Sequence, residues 1–547
     1  MTSKSTTART GPRREGGRER PSAPSVWIAL PLLCLVIATG FQAWIMTLDM
    51  RTFVSVASVD DSFLYLQVAR NWAATGVPSF DGVTKTNGIQ PLWGWVMRCM
   101  AEVGWTSEHY VRAMGWVCVW LNMATSGILL LMGIKLGRTV AGSVASILFS
   151  CYMLTPNSIS LMECNLHGFV FCGIIWSAVF LWMRPIQDWK IAQIGLLGIL
   201  LTLNGLSRLD SGLFSLAIWI VFVFQLVKIR RWNAAAILSL PALLIAIPYF
   251  TLNYWEFGSA VPISGTAKFV WAYQVGEAPW SRHVMVWAYS VGQILTASIV
   301  KSTGLSGLRA TLPVALIAMG FVILFASAVF RKRLPNGILF LWCFHGLHLI
   351  MMAMILRQFS ISYWYYQPLR ITIMMTVGLV VANAVRESPR GSLVFGIGLL
   401  MCLAISLRDG IQLTRTVDHP YAQRYDAAIW IRDSGVLARG ARIGAWNAGQ
   451  LGYFSRPQTV VNLDGLVQDR KFLDQVIVGR NWKTYLKENS IQYLVDHDVA
   501  PPGLKNFDHS KSSREYYRGL VPRNKAHVLR EFGRIQVLDV REWLEDP

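Results

Sequence analysis

Long apolar runs alternate with short basic or turn-rich segments from Val26 to Leu407. A spanning helix needs about 17–25 predominantly apolar residues. The pattern assigns eleven spans: Val26–Met46, Val111–Ile134, Thr139–Leu154, Leu166–Met183, Ile191–Leu206, Gly212–Leu226, Ala234–Leu252, Leu312–Phe330, Gly337–Leu356, Trp364–Val385 and Leu393–Leu407. Two further apolar pieces, Ile89–Val103 and Val284–Val300, are short or broken by polar residues such as Arg98 and Gln293, and are placed along the outer surface. Past Arg408 the pattern changes. Short β-type runs (Arg442–Trp446, Thr459–Asn462, Ile491–Val495, Ile535–Val540) alternate with helical periodicity at Tyr421–Asp433, Arg470–Val478 and Trp482–Asn489. The expectation is a polytopic α-helical membrane protein with about eleven transmembrane helices and a small C-terminal extracytoplasmic α/β domain over 409–547. The membrane domain covers 26–408, with its first outer loop at 47–110.

Charge gives this arrangement a direction. The segments placed inside carry Lys135 and Arg138; Arg184 and Lys190; Lys228, Arg230 and Arg231; Arg331, Lys332 and Arg333; and Arg386 and Arg390. Basic loops stay on the cytoplasmic side, so the amino terminus is expected inside and the C-terminal region outside, in the cell's inner (plasma) membrane. Residues 1–25 read as a disordered basic cytoplasmic tail. The formal charge of +20 then reflects topology rather than a nucleic-acid partner. With 53% hydrophobic and 15% charged residues in 547, the chain is no ordinary soluble protein. Its eight cysteines all precede residue 409 and lack metal-knuckle spacing, so no disulfide is expected in the C-terminal region.

Candidate chemistry collects at the outer face. In the first loop Asp60 and Asp61 open an amphipathic helix that Gly76 and Pro78 stop, and Asp81-Gly82 and Asn87-Gly88 then mark turns on either side of Lys85. An acidic pair at a helix start reads as an N-cap or, at a lipid–water boundary, as a functional site. Glu163, His167, Arg208, Asp210, Lys268, Arg357 and the run Tyr363–Tyr366 are placed on the same rim. Arg208 with Asp210 reads equally as a structural ion pair, His167 as a core residue, and the tyrosines as an interfacial belt. A lipid-linked sugar phosphate suits the set, needing an apolar groove, a cation for its phosphate and a base for the acceptor hydroxyl. No GxGxxG, Walker A, HExxH or GxSxG pattern offers a competing chemistry.

The run D-D-S-F-L-Y-L-Q-V-A-R-N from Asp60, with F-D-G and T-N-G-I-Q-P-L-W after it, resembles the first outer loop of GT-C membrane glycosyltransferases. The bacterial relatives of protein O-mannosyltransferases and lipid A aminoarabinose transferases are the nearest in pattern. Met162-Glu163, Arg208–Ser211, Phe257–Lys268, Tyr363–Tyr366 and Val460–Gly465 follow in the family's order. Where relatives carry a small residue before Met-Glu and Thr after it, this chain has Leu161 and Cys164.

The resemblance implies a GT-C-like fold and inverting transfer from a polyprenyl-phosphate sugar donor to an extracytoplasmic glycan, lipid or protein acceptor, beside membrane lipids. It assigns catalysis to Asp60 as base, with Asp61 as neighbour and Glu163 nearby. Lys85, Lys268 and Arg357 are the expected donor-phosphate contacts, and Arg208, Asp210, His167 and Tyr365 the expected substrate pocket. Cofactor need is open: Asp60, Asp61 and Glu163 offer hard oxygen ligands to a divalent metal ion, and such enzymes need not use one. A transporter or flippase for a lipid or lipid-linked sugar is the alternative, though it calls for ionisable residues near the bilayer midplane. A non-catalytic assembly factor would lack the acidic pair.

Overall fold

The computed structural model describes residues 26–105, 107–274, 336–355, 363–387, 389–415, 420–497, 499 and 520–546. The expected tail at 1–25, the surface piece at 284–300, the span at 312–330 and Arg357 lie outside them.

Among the described residues, seven helices are long and apolar enough to cross a membrane, and three shorter apolar helices accompany them. The long ones include α1 (Val26–Ile45), α5 (Ser107–Lys135), α7 (Cys164–Trp182) and a helix over Trp232–Phe257; the short ones are α6 (Thr139–Met153), α8 (Ile191–Ser207) and Gly337–His348. Together they occupy ten of the eleven expected spans. α6 packs between α1, α5 and the Gln367–Glu387 helix. Its buried Ala141, Gly142, Ser143, Ala145 and Ser146 let the backbones approach. Ser126 and Ser146 share a hydroxyl contact of 2.9 Å there. The Trp232–Phe257 helix passes through a π-helical turn at Ala242–Ala246, directly after Pro241. A proline inside a helix removes a backbone donor and distorts the ladder around it.

The first loop folds as α2 (Met50–Val56), α3 (Asp60–Thr75) and α4 (Pro91–Ala101). α3 ends at Gly76 in the left-handed conformation, with φ 77°. At eleven residues α4 is about 17 Å long, too short to span; it packs on α3, α5 and α8.

The C-terminal region builds a five-stranded sheet in the order β2-β1-β3-β5-β4, from β1 (Arg442–Ala445), β2 (Thr459–Asn462), β3 (Ile491–His497), β4 (His527–Phe532) and β5 (Ile535–Asp539). β1 runs parallel to β2 and β3, while β5 is antiparallel to β3 and β4. Ile443, Val460, Tyr493 and Val537 are buried on one face, and Val461, Leu494 and Leu538 on the other. The sequence reading misses β4, an edge strand whose His527, Arg530 and Glu531 are exposed. An edge strand of that kind carries little hydrophobic signal.

Polar contacts fasten this region to the first loop. Arg51 grips Asp426 through two donors at 2.8 Å. Arg70 donates to the Tyr453 carbonyl at 3.0 Å and lies 4.3 Å from the ring centre of Tyr453. Thr86 donates to the Gln468 carbonyl at 3.1 Å, and Arg456 to the Asn71 side chain.

Candidate active site

α3 begins at Asp60 because Val59 is extended and carries no capping side chain. The acidic pair therefore occupies the first turn, where the helix dipole favours negative charge. Asp60 does not cap its own helix. Its carboxylate reaches the helix Gly449–Phe454 of the C-terminal region instead, accepting from the backbone N–H of Gly449 and of Gln450 at 3.0 Å each. Asp60 is only 6% exposed. Gly449 is held so close that a Cβ there would sit 2.0 Å from the Asp60 carbonyl oxygen. The Gln450 carboxamide beside it is fully buried, with neither of its polar atoms hydrogen-bonded among the described residues.

Asp61 is half-buried and makes no hydrogen bond among the described residues. Burial raises its carboxyl above the usual aspartate range; the charge of Lys268 pulls it down and that of Glu163 pushes it up.

Glu163 stands just before α7 and is 2% exposed. One of its oxygens accepts from Arg208 at 2.6 Å, while the other is buried without a hydrogen-bond partner among the described residues. Burial raises this carboxyl as well, against the pull of Arg208. The residue that leads into this turn is Leu161, whose φ of 58° is left-handed. A side chain there costs on the order of 1–2 kcal/mol. Trp93 holds the strained turn by donating to the Leu161 carbonyl at 3.0 Å.

Arg208, where α8 ends, is the hub of the cluster. Besides Glu163 it binds both oxygens of Asp210, at 3.1 and 3.0 Å, and its guanidinium lies 4.3 Å from the ring centre of Tyr365. Asp210 also meets His348 at 3.2 Å. Lys268 donates to the Tyr365 hydroxyl at 2.5 Å. His167 sits behind, its Nε2 2.7 Å from the Ser211 hydroxyl.

Asp61, Glu163, Arg208, Asp210, Lys268 and Tyr365 thus form one coupled group at one end of the helix bundle. The loops bearing Lys135 and Arg138, Arg184 and Lys190, and Arg230 and Arg231 join the opposite helix ends. Lys85 is paired at 2.9 Å with Glu256, and both side chains are about half exposed. Ion pairs so exposed are worth roughly 0–1 kcal/mol.

The sequence reading overlooks Gln90, which ties the site by accepting from Leu209 N–H at 3.2 Å while its own N–H meets the Tyr65 hydroxyl at 3.3 Å. It overlooks His348 too, although ionisable side chains in an apolar helix, here His345 and His348, are a recognised signal. Asp464 follows β2, and burial raises it well above the usual range; the charges of Asp61 and Asp60 add to the effect. The Asp60 oxygens serve backbone amides, and among the described residues no group of three His, Cys, Asp or Glu is placed to hold a metal ion.

No protein-family model matches the sequence, and no curated protein matches it either. Solved structures do. The oligosaccharyltransferase of Archaeoglobus fulgidus in its apo form is similar at TM-score 0.50 and 12% identity, covering 86% of this chain and 70% of that one. The archaeal oligosaccharyltransferase AglB from Archaeoglobus fulgidus, in complex with an inhibitory peptide and a dolichol-phosphate, gives TM-score 0.50 at 11% identity, covering 87% and 70%. This chain has the fold of a GT-C glycosyltransferase. ArnT from Cupriavidus metallidurans, bound to undecaprenyl phosphate, covers 96% of this chain and 100% of its own at TM-score 0.46 and 14% identity. In the GT-C fold of this chain the coupled group sits where the first loop, the helix ends and the C-terminal sheet meet.

Proposed function

We propose that this protein is a membrane glycosyltransferase that moves a sugar from a polyprenyl-phosphate donor to the hydroxyl of an extracytoplasmic acceptor, with inversion. The observation that carries it is the coupling of a half-buried carboxylate, Asp61, to the lysine Lys268 and to the buried Glu163–Arg208 pair. Glu163 and Arg208 lie at the ends of apolar helices, Asp61 in the first turn of α3, and Lys268 within the helix Ile263–Gln274. The solved complex of AglB with a dolichol-phosphate and a peptide supports the reading.

In the proposed reaction the acceptor oxygen attacks the anomeric carbon as a carboxylate takes its proton. The bond from that carbon to the phosphate oxygen breaks, and polyprenyl phosphate leaves. A single in-line displacement inverts the anomeric configuration. Lys268 supplies a point charge for the leaving phosphate, with Lys85 and Arg357 as further contacts. Glu163, Arg208, Asp210, His167 and Tyr365 hold the sugar and shape its pocket. Basic loops at the far ends of the helices support an orientation with this cluster outside the inner membrane. Cysteine at exposed Val83, in a background lacking the exposed Cys99 and Cys343, is expected to react with an impermeant reagent on intact cells. Labelling only after permeabilisation would reverse the orientation.

The decisive experiment is purification in mild detergent followed by mass spectrometry of bound lipid and an assay of sugar transfer from the lipid-linked sugar so identified. A polyprenyl phosphate, free or glycosylated, is expected. A preparation that binds none and transfers no sugar from any such donor would remove the assignment.

A further inference from the structure

We infer that Asp61 is the proton acceptor of the proposed reaction, and that Asp60 is a positioning residue that pins the Gly449–Phe454 helix to the start of α3. The inference rests on the glycosyltransferase reading and divides the acidic pair between two tasks.

Asp60 is committed on both oxygens. Each accepts a backbone N–H at 3.0 Å, from Gly449 and from Gln450. Hydrogen bonds from neutral amides to a carboxylate are charge-assisted and among the stronger ones in proteins. A proton arriving on either oxygen would displace an amide in a buried setting, and an orphaned buried N–H costs about 1–3 kcal/mol. The backbones leave no slack to absorb such a shift, since a Cβ on Gly449 would lie 2.0 Å from the Asp60 carbonyl oxygen and 3.1 Å from its carboxylate. The contact joins residues 389 and 390 positions apart. It is a joint between two parts of the molecule.

Asp61 differs in each respect. It is half-buried and accepts no hydrogen bond among the described residues. Its charged neighbours are Lys268, Glu163 and Arg424, with Asp60, Asp464 and Tyr421 also coupled to it. Burial raises both carboxyls above the ordinary range, Asp61 against the pull of Lys268 and Arg424, so exposure and free oxygens rather than acidity separate Asp61 from Asp60. The ionised form is required, so transfer falls as pH drops through that raised value. Removing the positive charge in K268M raises the Asp61 pKa further and moves this acid limb upward. Removing the negative charge in E163Q moves it downward.

The test compares full-length D60N, D61N, G449A and K268M with wild type. The readouts are melting temperature, resistance to limited proteolysis, and the pH profile of transfer from the lipid-linked sugar found in the wild-type preparation. D61N is expected to melt like wild type and to lose about 10²–10⁴-fold in transfer. D60N and G449A, which attack one joint from its two sides, are expected to melt earlier and to be cut faster. Their remaining activity should keep the wild-type acid limb, whereas K268M shifts it upward. Near-normal transfer by D61N overturns the inference, and so does a 10²-fold loss in D60N at wild-type melting temperature. If wild type itself transfers no sugar, the glycosyltransferase reading falls instead. The anchoring role is still decided in that event, because equal melting of D60N, D61N and G449A would refute it.

Discussion

Arg208→Met is expected to destabilise the folded protein by about 3–5 kcal/mol, the range for stripping one partner from a buried ion pair. Arg208 and Glu163 are each 2% exposed, and the guanidinium also serves Asp210. Methionine fills much of the volume but leaves Glu163 buried beside a second carboxylate. Two results identify the cause. The double variant R208M/E163Q should recover much of the loss, since the stranded charge is gone. The R208M protein should also fare better at low pH. Burial already raises the Glu163 carboxyl and Arg208 opposes that rise, so its removal raises the group further. A carboxyl whose folded pKa lies above its unfolded value favours folding when protonated, and that advantage fades as pH climbs through the folded pKa. Thermal melts across pH 4–8 measure both effects; a pH-independent loss without rescue would assign the damage to lost packing on Tyr365.

Gly88→Ala is the second change expected to do great harm. A Cβ at Gly88 would sit 2.0 Å from the Leu466 carbonyl oxygen and 3.0 Å from the Val467 Cα, both backbone atoms. Overpacking typically costs about 1–3 kcal/mol, and here no flexible side chain can turn aside. The turn and the segment after β2 must separate, loosening the Thr86–Gln468 hydrogen bond. A lower melting temperature with early proteolysis of the C-terminal region is the expected result, and a wild-type melt would show that the two backbones do not meet this closely.

The long apolar helices and the strands β1, β2, β3 and β5 are legible in the sequence because burial writes itself as apolar periodicity, whereas the short helices Met50–Val56 and Gly449–Phe454 are not. β4 is not, since its exposed edge asks for polar residues. The site is legible as a set of residue types but less so as a set of partners. Arg208 beside Asp210 is visible two positions away in the chain; its bond to Glu163 crosses 45 positions. Lys85 reads as a lone cation in the first loop, and its pairing with Glu256 crosses 171 positions. The amides that occupy Asp60 belong to backbone, which carries no side-chain code at all.

That last separation bears on how the molecule is made. Gln450 is synthesised 390 residues after Asp60, which at about 5–20 residues per second is roughly 20–80 s later. Throughout that interval the first loop has no docking helix, and the joint at the acidic pair cannot close. The first loop thus waits while every later membrane helix is made before its lock emerges. Assembly of the site follows as a late event, coupled to delivery of the chain's final quarter to the same side of the membrane as its first loop.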